Sequence, residues 1–415
     1  MMDADVIVVG GGVIGTAIAW RAAVAGHQVT LIDPDTDDKA SLVAAGMLGP
    51  VSESVFGEQD LLALNLHAID RFPAFNAELE AASGQPTGLR TEGTLAVAYD
   101  SGDLAALDRL TEFRHSIGLK AERLDARACR RLEPFLAPST RGGVLATGDL
   151  SVDNRRYLAA LRAAAAGAGV RTVVGYVTDV AAGLVRFRAP ADDGAAGERA
   201  ELSAATVVVA AGWGTGRIEG VPDQIRKAIR PVKGQILRLR HPGNLPHIIS
   251  HTIRAIVQGR DVYLVPRADG ELVVGATQEE RDDRDITAGA VHDLLRDAMT
   301  AVPAISELIL AEASAGRRPG TSDNGPILGP VTPAGTVAPA GSPTTAGTTT
   351  PAGTVAPAGT PTTAGPAGAP QLIVAAGHFR NGVLLSAVTA DAVVALLADD
   401  QPQQAWTPFN PGRLT

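Results

Sequence analysis

A glycine-rich turn near the N-terminus is the clearest chemical signal in the sequence. Residues 10–15 read Gly-Gly-Gly-Val-Ile-Gly, which contains the G-x-G-x-x-G spacing between a strand-like and a helix-like run. In such a turn Gly10 reverses the chain, Gly12 lets the backbone approach a pyrophosphate, and Gly15 lets the helix pack closely on the strand. The N-terminus of that helix then stabilises the phosphates through its free N–H groups and its dipole. The turn predicts that a dinucleotide binds.

Asp33 narrows the choice of dinucleotide. It ends the second strand-like run, at the distance from the glycine turn expected of the acid that binds the ribose hydroxyl groups. Because a carboxylate at this position suits an unphosphorylated ribose, Asp33 favours FAD or NAD over NADP.

The elements that position this turn begin with a strand, a helix and a second strand. The apolar runs at 6–9 and 28–32 flank a helical pattern at 13–25, and this βαβ unit predicts a doubly wound parallel sheet. A largely apolar run at 205–213 is typical of another buried parallel strand. Between 233 and 276 the chain instead reads as several short strands with turns, which predicts an antiparallel sheet.

The predicted fold class is therefore α/β, with a Rossmann-type dinucleotide-binding domain interleaved with an antiparallel-sheet α+β substrate domain. We expect the first domain to comprise residues 1–85, 145–225, 311–330 and 371–415, and the second to comprise 86–144 and 226–310. Residues 331–370 have no charged and no aromatic side chain. Such a segment cannot bury enough apolar surface to offset its ordering entropy, so we expect a disordered low-complexity insertion.

Composition excludes several classes of partner. The formal net charge of −9 and the absence of a Lys/Arg block argue against nucleic-acid or anionic-membrane partners, which need a concentrated positive field. No secretory leader pattern and no apolar run of about 20 residues is evident, so we expect a cytoplasmic protein without a membrane span. The single cysteine, Cys129, can form neither an internal disulfide nor a thiolate metal cluster, and we expect no metal site.

Further blocks of sequence resemble the glycine oxidases, within the D-amino-acid-oxidase-like FAD-dependent oxidoreductases. Residues 44–50 (AAGMLGP) resemble the segment with which that family wraps its flavin, and residues 377–384 (GHFRNGVL) resemble its C-terminal flavin loop. Additional blocks follow in the family's order at 231–235, 263–266, 273–277 and 318–321. The resemblance covers almost the whole chain except 331–370, and it implies non-covalently bound FAD.

The same resemblance implies a flavin site spread along the chain. It puts Gly10, Gly12, Val13, Ile14 and Gly15 at the pyrophosphate. The ribose would be bound by Asp33 with Pro34. The residues implied beside the adenine or the flavin ring are Ala40, Ser41, Ala45, Gly46, Met47, Val177, His378, Phe379, Arg380, Asn381, Gly382, Val383 and Leu384.

For the substrate, the resemblance implies an arginine that binds a carboxylate. The planar guanidinium binds a carboxylate bidentately and stays charged. Arg318 falls at the family's carboxylate-binding position, although Arg317 replaces a neighbour that is usually apolar. Arg380 and Tyr263 match two further residues on the substrate side.

The implied reaction is oxidative deamination of glycine or a similar small amine. Substrate would pass a hydride to the flavin, the imine would hydrolyse to glyoxylate and ammonia, and dioxygen would be reduced to hydrogen peroxide. No catalytic acid or base is expected, because the flavin supplies the redox chemistry. The family's biosynthetic role implies thiamine thiazole formation, and homo-oligomers are known in the family.

Several alternatives stay open from the sequence alone. A D-amino-acid or sarcosine-type oxidase has the same two-domain plan, and a dehydrogenase could pass electrons to a quinone. From other classes, a flavin-binding protein without catalysis is disfavoured by the presence of Arg318. A tRNA-modifying flavoprotein is disfavoured by the lack of a basic surface run.

Overall fold

The computed structural model describes residues 2–190, 197–243, 247–331 and 370–414. Its strands, in chain order, are β1 (Ala4–Val9), β2 (Val29–Asp33), β3 (Met47–Leu48), β4 (Thr94–Ala98), β5 (Glu122–Asp125), β6 (Gly142–Ala146), β7 (Leu150–Ser151), β8 (Arg171–Val174), β9 (Tyr176–Ala181), β10 (Leu184–Arg188), β11 (Arg199–Val209), β12 (Arg230–Arg240), β13 (Thr252–Val257), β14 (Arg260–Pro266), β15 (Leu272–Gly275), β16 (Ile309–Gly320), β17 (Ile327–Pro330) and β18 (Gln371–Ala376).

The helices lie mostly between strands of the first sheet or against the faces of both sheets. In chain order they are α1 (Val13–Val24), α2 (Ala40–Val43), α3 (Gln59–Ser83), α4 (Ser101–Ser116), α5 (Ala126–Leu132), α6 (Asn154–Gly167), α7 (Asp223–Ala228), α8 (Ala288–Ala301) and α9 (Gly382–Leu397). Short 3₁₀ turns lie at Gly212–Arg217, Pro303–Glu307, Phe379–Asn381, Gln404–Phe409 and Pro411–Leu414.

The first sheet carries the predicted βαβ opening. Its main path has the order β17-β18-β11-β1-β2-β8, and β10 and β9 extend from β11. The strands from β18 to β8 pair in parallel, while β17 runs antiparallel to β18. The central strands β1 and β18 are apolar and mostly buried because both faces of the sheet are covered there, whereas the edge strand β8 is mostly exposed. The mixed α/β architecture predicted from the sequence is confirmed.

Hydrophobic cores cover both faces of the first sheet, and alternate residues of β1 pack into one or the other. Val6 and Val8 pack into a core formed with α1, α3, α6 and α9, whereas Ile7 and Val9 pack into a second core on the opposite face. Side chains of a strand alternate between the two faces, so one short apolar strand supplies both cores.

The second sheet has eight strands in the order β16-β12-β15-β14-β13-β4-β6-β5. Its pairs are antiparallel except for β13 with β4, which are parallel. The antiparallel sheet predicted from residues 233–276 is confirmed by the pairing of β12 to β15. The parallel pairing of β13 with β4 had not been predicted. The two strands lie far apart in the chain and no hairpin turn joins them, so their relative direction carried no local sequence signal.

The predicted boundary at 311–330 also needs correction. All of β16 pairs with β12 in the second sheet, from Arg230 opposite Gly320 to Arg240 opposite Ile309. Only β17 joins the first sheet. Residues 332–369, which include nearly all of the predicted insertion, lie outside the described residues. The two ends of that segment follow β17 and precede β18, which are antiparallel neighbours.

One helical stretch corrects the expectation that no apolar run approaches a membrane-spanning length. Phe379–Leu397 has 19 residues and a mean hydropathy of 1.4, and 61% of it is buried inside the protein. The stretch includes α9, which packs against α1 and α3. A helix that is apolar on all sides is expected when protein surrounds it.

Arg267 links the second sheet to the segment beside the glycine turn. Its guanidinium donates to the carbonyl groups of Val152 at 2.8 Å and Ala45 at 2.7 Å, and to Asn154 Oδ1 at 3.1 Å. The side chain is 3% exposed, and burial lowers the pKa of Arg267 to about 10. These bonds stabilise the contact between the second sheet and the segments next to the paired strands β3 and β7, because each satisfies a buried acceptor.

We expect Arg267→Met to destabilise the protein by about 2–5 kcal/mol, because buried carbonyl groups would lose their donors. Arg156→Met is the matched control, since Arg156 also forms an ion pair between α6 and the second sheet but is 45% exposed. The control should cost about 1 kcal/mol or less. Urea unfolding of both variants followed by circular dichroism measures the difference. Equal losses in the two variants would contradict the assigned role of Arg267.

Candidate active site

A cavity of about 760 Å³ is lined by residues from both sheets. Its wall contains the turn after β1, the end of β2, and parts of β12, β14, β16 and β18. The volume falls within the range of small-molecule and cofactor sites in proteins, which are about 300–1,000 Å³. The sequence-predicted residues can therefore be tested by where they lie relative to one cavity.

The glycine turn has the geometry that its spacing predicts. Gly10 has φ of 107°, and a Cβ there would lie 2.5 Å from the carbonyl oxygen of Ala210. A Cβ on Gly15 would collide with the carbonyl oxygen of Gly10. A Cβ on Gly12 would meet only Ser41 Oγ, at 3.1 Å, and would otherwise face the cavity. Gly10 and Gly15 are thus required by the fold, whereas Gly12 keeps space open for a ligand.

The N-terminus of α1 faces this space. Gly12 is its N-cap and supplies no side-chain oxygen, while the N–H of Val13 donates to Ser41 Oγ at 3.0 Å. The backbone of Ser41 is held by Asn154, whose Nδ2 donates to the Ser41 carbonyl at 2.7 Å. A helix N-terminus at a cavity wall favours an anionic group such as a pyrophosphate.

Asp33 lies at the end of β2, and its carboxylate is held on both oxygen atoms. Oδ2 accepts from the N–H of Gly11 at 2.6 Å, and Oδ1 accepts from the N–H of Asp35 at 2.8 Å. Lys39 Nζ lies 2.9 Å from Oδ1, and both side chains are buried. The arrangement fits a ribose-binding acid on the cavity wall. Lys39, a neighbouring cation, had not been predicted from the sequence.

Most of the other predicted cofactor residues also line the cavity. They are Gly10, Gly12, Val13, Ile14, Pro34, Ala40, Ser41, Ala45, Gly46, Met47, Val177, His378, Phe379, Arg380, Gly382 and Val383. Within the described part of the chain, the wall does not include Gly15, Asn381 or Leu384. These three are buried behind it, Leu384 in the core around α9.

His378 lies on the cavity wall as a neutral side chain. Burial lowers its pKa to about 3. Its Nε2 lies 3.1 Å from Thr389 Oγ1, and that hydroxyl donates to the carbonyl of Leu385 at 2.7 Å. Because the threonine proton is already used, His378 Nε2 is assigned as the donor. His378 therefore brings no charge to the cavity near neutral pH.

Five arginines line the cavity, and four of them have carboxylate partners. Arg217 pairs with Asp282, Arg254 with Glu53, Arg317 with Asp38 and Asp282, and Arg380 with Glu58.

Arg318 is the exception. Among residues 2–190, 197–243, 247–331 and 370–414, no carboxylate lies within 4.0 Å of its guanidinium. Its Nη1 donates to the carbonyl of Thr277 at 3.3 Å. A Cβ on Gly234 would collide with the guanidinium, so this glycine makes room for it. The half-buried cation therefore keeps its capacity to bind an anion from the cavity.

Tyr263 lies beside Arg318. Burial is the main cause that raises the pKa of Tyr263, and the charge of Arg318 opposes it. The hydroxyl is therefore protonated near neutral pH and available as a donor. Its ring occupies the space that a Cβ on Gly275 would fill. Arg318 and Tyr263 together present a cation and a neutral donor.

Arg317 and Arg380 are engaged differently. The Arg317 guanidinium lies 3.8 Å from the ring centroid of Trp213, in addition to its two ion pairs. Arg380 Nη2 lies 2.5 Å from Glu58 Oε2. The resemblance assigns the substrate carboxylate to Arg318, and the lack of a carboxylate partner among the described residues supports Arg318 over Arg317. The substrate role of Arg380 stays a prediction.

Sequence reasoning missed Glu53, Arg254 and Trp213 on the cavity wall. Glu53 and Arg254 form their ion pair across 201 positions of sequence. Neither belongs to a recognisable motif, and only the three-dimensional contact connects them. Trp213 is the last residue of the 205–213 run and directly follows Gly212, which is the one local signal that could have indicated it.

The described residues contain no group of three or more His, Cys, Asp or Glu side chains arranged to bind a metal ion. Cys129 is buried in the core of the second sheet, and burial raises its pKa to about 11. Its side chain does not line the cavity within the described chain. A flavin in this cavity would therefore not be attached through cysteine.

Comparison with known proteins decides the family. Residues 5–396 match the sequence profile of DAO, described as FAD dependent oxidoreductase. The chain belongs to this family. Its cofactor is FAD, and the open backbone at Gly12, the N-terminus of α1 and the carboxylate of Asp33 fit that dinucleotide.

Individual relatives of this FAD-dependent oxidoreductase span its full length. Glycine oxidase of Geobacillus kaustophilus is 31% identical over 421 residues, covering 98% of this chain and 96% of the relative. A crystal structure of glycine oxidase from Geobacillus kaustophilus matches with a TM-score of 0.79 and 29% identity, covering 98% of each chain. The bifunctional protein ThiO/ThiG of Synechocystis is 29% identical over 99% of this chain and 54% of that protein. The chain thus spans about half the length of the first curated relatives.

We expect Gly12→Ala to fold but to bind FAD at least about 10-fold more weakly, because the added methyl group enters the space for the pyrophosphate. Gly15→Ala is the contrasting variant, since its methyl group collides with protein backbone and should reduce folding itself. Thermal unfolding of the apoproteins and fluorescence titration with FAD separate the two effects. Unchanged FAD affinity in folded Gly12→Ala would contradict the assigned position of the pyrophosphate.

Proposed function

We propose that this FAD-dependent oxidoreductase oxidises glycine, or a similarly small amino acid, to an imine. Water then hydrolyses the imine to glyoxylate and ammonia, and dioxygen is reduced to hydrogen peroxide. The observation that carries the proposal is Arg318, a guanidinium on the cavity wall that has no carboxylate partner among the described residues. A substrate carboxylate would supply that partner.

The chemistry of the side chains supports this role for Arg318. A guanidinium offers parallel N–H donors that match a carboxylate bidentately, and it remains charged at any pH of interest. The neighbouring Tyr263 hydroxyl is protonated and can donate to the same carboxylate. Together they would fix the carboxylate of a small amino acid. The cavity wall would then need to restrict only the rotation of the substrate about this contact.

The protein's contribution is orientation. When bound, FAD would supply the redox chemistry by which substrate is oxidised and dioxygen is reduced. Arg318 and Tyr263 would hold the carboxylate so that the adjacent Cα–H faces the flavin ring, and positioning of this kind accounts for a large part of many enzymatic rates. No side chain need act as an acid or a base, in keeping with the neutral His378.

The relatives support the choice of glycine. Proteins named glycine oxidase match over nearly the whole of this chain. The family resemblance further implies that the reaction serves thiamine thiazole biosynthesis, and we propose that pathway on this basis. A cytoplasmic location, self-association and the absence of nucleic-acid and membrane partners stay predictions of the sequence.

A direct assay compares glycine with sarcosine, D-alanine and D-proline as sources of hydrogen peroxide, using purified protein whose flavin spectrum has been recorded. We expect turnover with glycine. Turnover of D-alanine or D-proline without glycine would establish the D-amino-acid alternative, and preference for sarcosine would establish the sarcosine-type alternative. Substrate-dependent bleaching of the flavin without peroxide would identify a dehydrogenase.

We expect Arg318→Ala to lower kcat/KM for glycine about 100-fold or more, because removing one partner of a charged pair costs about 2–5 kcal/mol. Most of the loss should lie in KM, while the flavin absorbance is retained. Arg318→Lys keeps the charge but not the planar fork, so it should recover only part of the loss. Arg186→Ala, at an exposed ion pair on β10, is the control. Unchanged kinetics in Arg318→Ala would remove the basis of the proposal.

A further inference from the structure

Glu53 is held on the cavity wall by buried supports. The carboxylate of Asp149 accepts from the N–H groups of Val51 and Ser52, each at 3.1 Å. The guanidinium of Arg114 donates to the carbonyl of Ser52 at 2.7 Å. Asp149 and Arg114 are 0% and 4% exposed. The backbone before Glu53 is therefore fixed from two sides, which restricts where its carboxylate can lie.

The partner of Glu53 is equally well positioned. Arg254 Nη1 donates to Glu53 Oε1 at 2.8 Å, and the two side chains are 27% and 14% exposed. Arg254 lies on β13 directly opposite Tyr263 on β14. The ion pair thus adjoins the tyrosine that lies beside Arg318, on the wall of the same cavity.

Near Tyr263, the arginines of the cavity wall differ in whether a carboxylate balances their charge. Arg254 is balanced by Glu53, and Arg380 is balanced by Glu58. Arg318 is left as the cation without a carboxylate partner among the described residues. One substrate carboxylate would balance Arg318. A second carboxylate would find Arg254 already paired and would be repelled by Glu53.

We propose that Glu53, through its ion pair with Arg254, restricts the substrate to amino acids with one carboxylate and disfavours dicarboxylic ones. This inference rests on the proposed function, because it takes Arg318 as the carboxylate site. Specificity would then arise both from the repulsion of a second carboxylate by Glu53 and from the attraction of the first carboxylate to Arg318. Glu53 is a specificity-determining residue in this account and takes no part in hydride transfer.

The test measures binding of two anions that cannot be oxidised, acetate and malonate, to the flavin-loaded protein at pH 8. The change in flavin absorbance reports each dissociation constant. We expect acetate to bind more tightly than malonate to the unaltered protein. In Glu53→Gln the malonate-to-acetate ratio of dissociation constants should fall about 10-fold or more, because Arg254 gains the freedom to bind the second carboxylate.

Two further variants keep the test decisive. Glu53→Gln combined with Arg254→Gln removes both charges and should restore the preference for acetate. Arg254→Gln alone leaves Glu53 without its counter-ion and should weaken malonate more than acetate. Glu201→Gln, at an exposed ion pair with Arg186, is the matched control and should leave the ratio unchanged.

An unchanged ratio in Glu53→Gln overturns the proposal. If that variant fails to retain flavin, an unchanged ratio in Arg254→Gln overturns it instead. Because the titration needs no turnover, failure to oxidise glycine leaves the result readable. Retention of acetate binding in Arg318→Ala would contradict the carboxylate site itself, which is a separate outcome from the loss of discrimination.

Discussion

The guanidinium of Arg318 is half-buried and has no carboxylate partner among the described residues, and the proposed substrate site depends on this unbalanced charge. Removing a cation from water is unfavourable unless hydrogen bonds or a counter-charge replace the lost solvation. Arg318 receives little such replacement within the described chain, where it has no carboxylate partner, donates to the carbonyl of Thr277 and is hydrogen-bonded to the hydroxyl group of Tyr263. The surrounding charges do not compensate it, because Glu53 and Glu58 are each committed to another arginine. The Arg318 guanidinium can therefore form an ion pair with an anionic substrate, as we propose.

At the proposed cofactor site, the backbone conformation of the glycine turn and the N-terminus of α1 contribute more to binding than charged side chains do. The turn after β1 leaves the backbone at Gly12 open toward the cavity, where we propose that the pyrophosphate binds, while Gly10 and Gly15 are needed for the turn itself and for helix packing. Arg267 ties the same region to the second sheet through the carbonyl of Ala45. Arg267 thus connects the proposed FAD site with the proposed substrate site, in keeping with the need to hold a substrate and a flavin in fixed relative positions.

The sequence predicted those features that depend on residues close together in the chain, and it missed those that depend on contacts between distant residues. Short spacings in the sequence identify the βαβ unit, the glycine turn and Asp33. In the structure β1 and β2 pair in parallel, and Asp33 at the end of β2 contacts the glycine turn. The position of β16 was missed because strand pairing across the chain is decided by tertiary contacts, not by the strand's own residues. Glu53 with Arg254 was missed for the same reason. The resemblance had already assigned the carboxylate to Arg318, and the ion pairs of Arg317 with Asp38 and Asp282 support that choice.

The proposed function depends on binding of the substrate carboxylate by Arg318. The most direct measurement is a crystal structure of the FAD-loaded protein with glycolate, which has the carboxylate of glycine but no amine. We expect both carboxylate oxygen atoms within about 3 Å of the Arg318 guanidinium nitrogens, with one of them also accepting from Tyr263. A carboxylate bound at Arg254 or Arg380, with Arg318 left without an anion, would contradict the account.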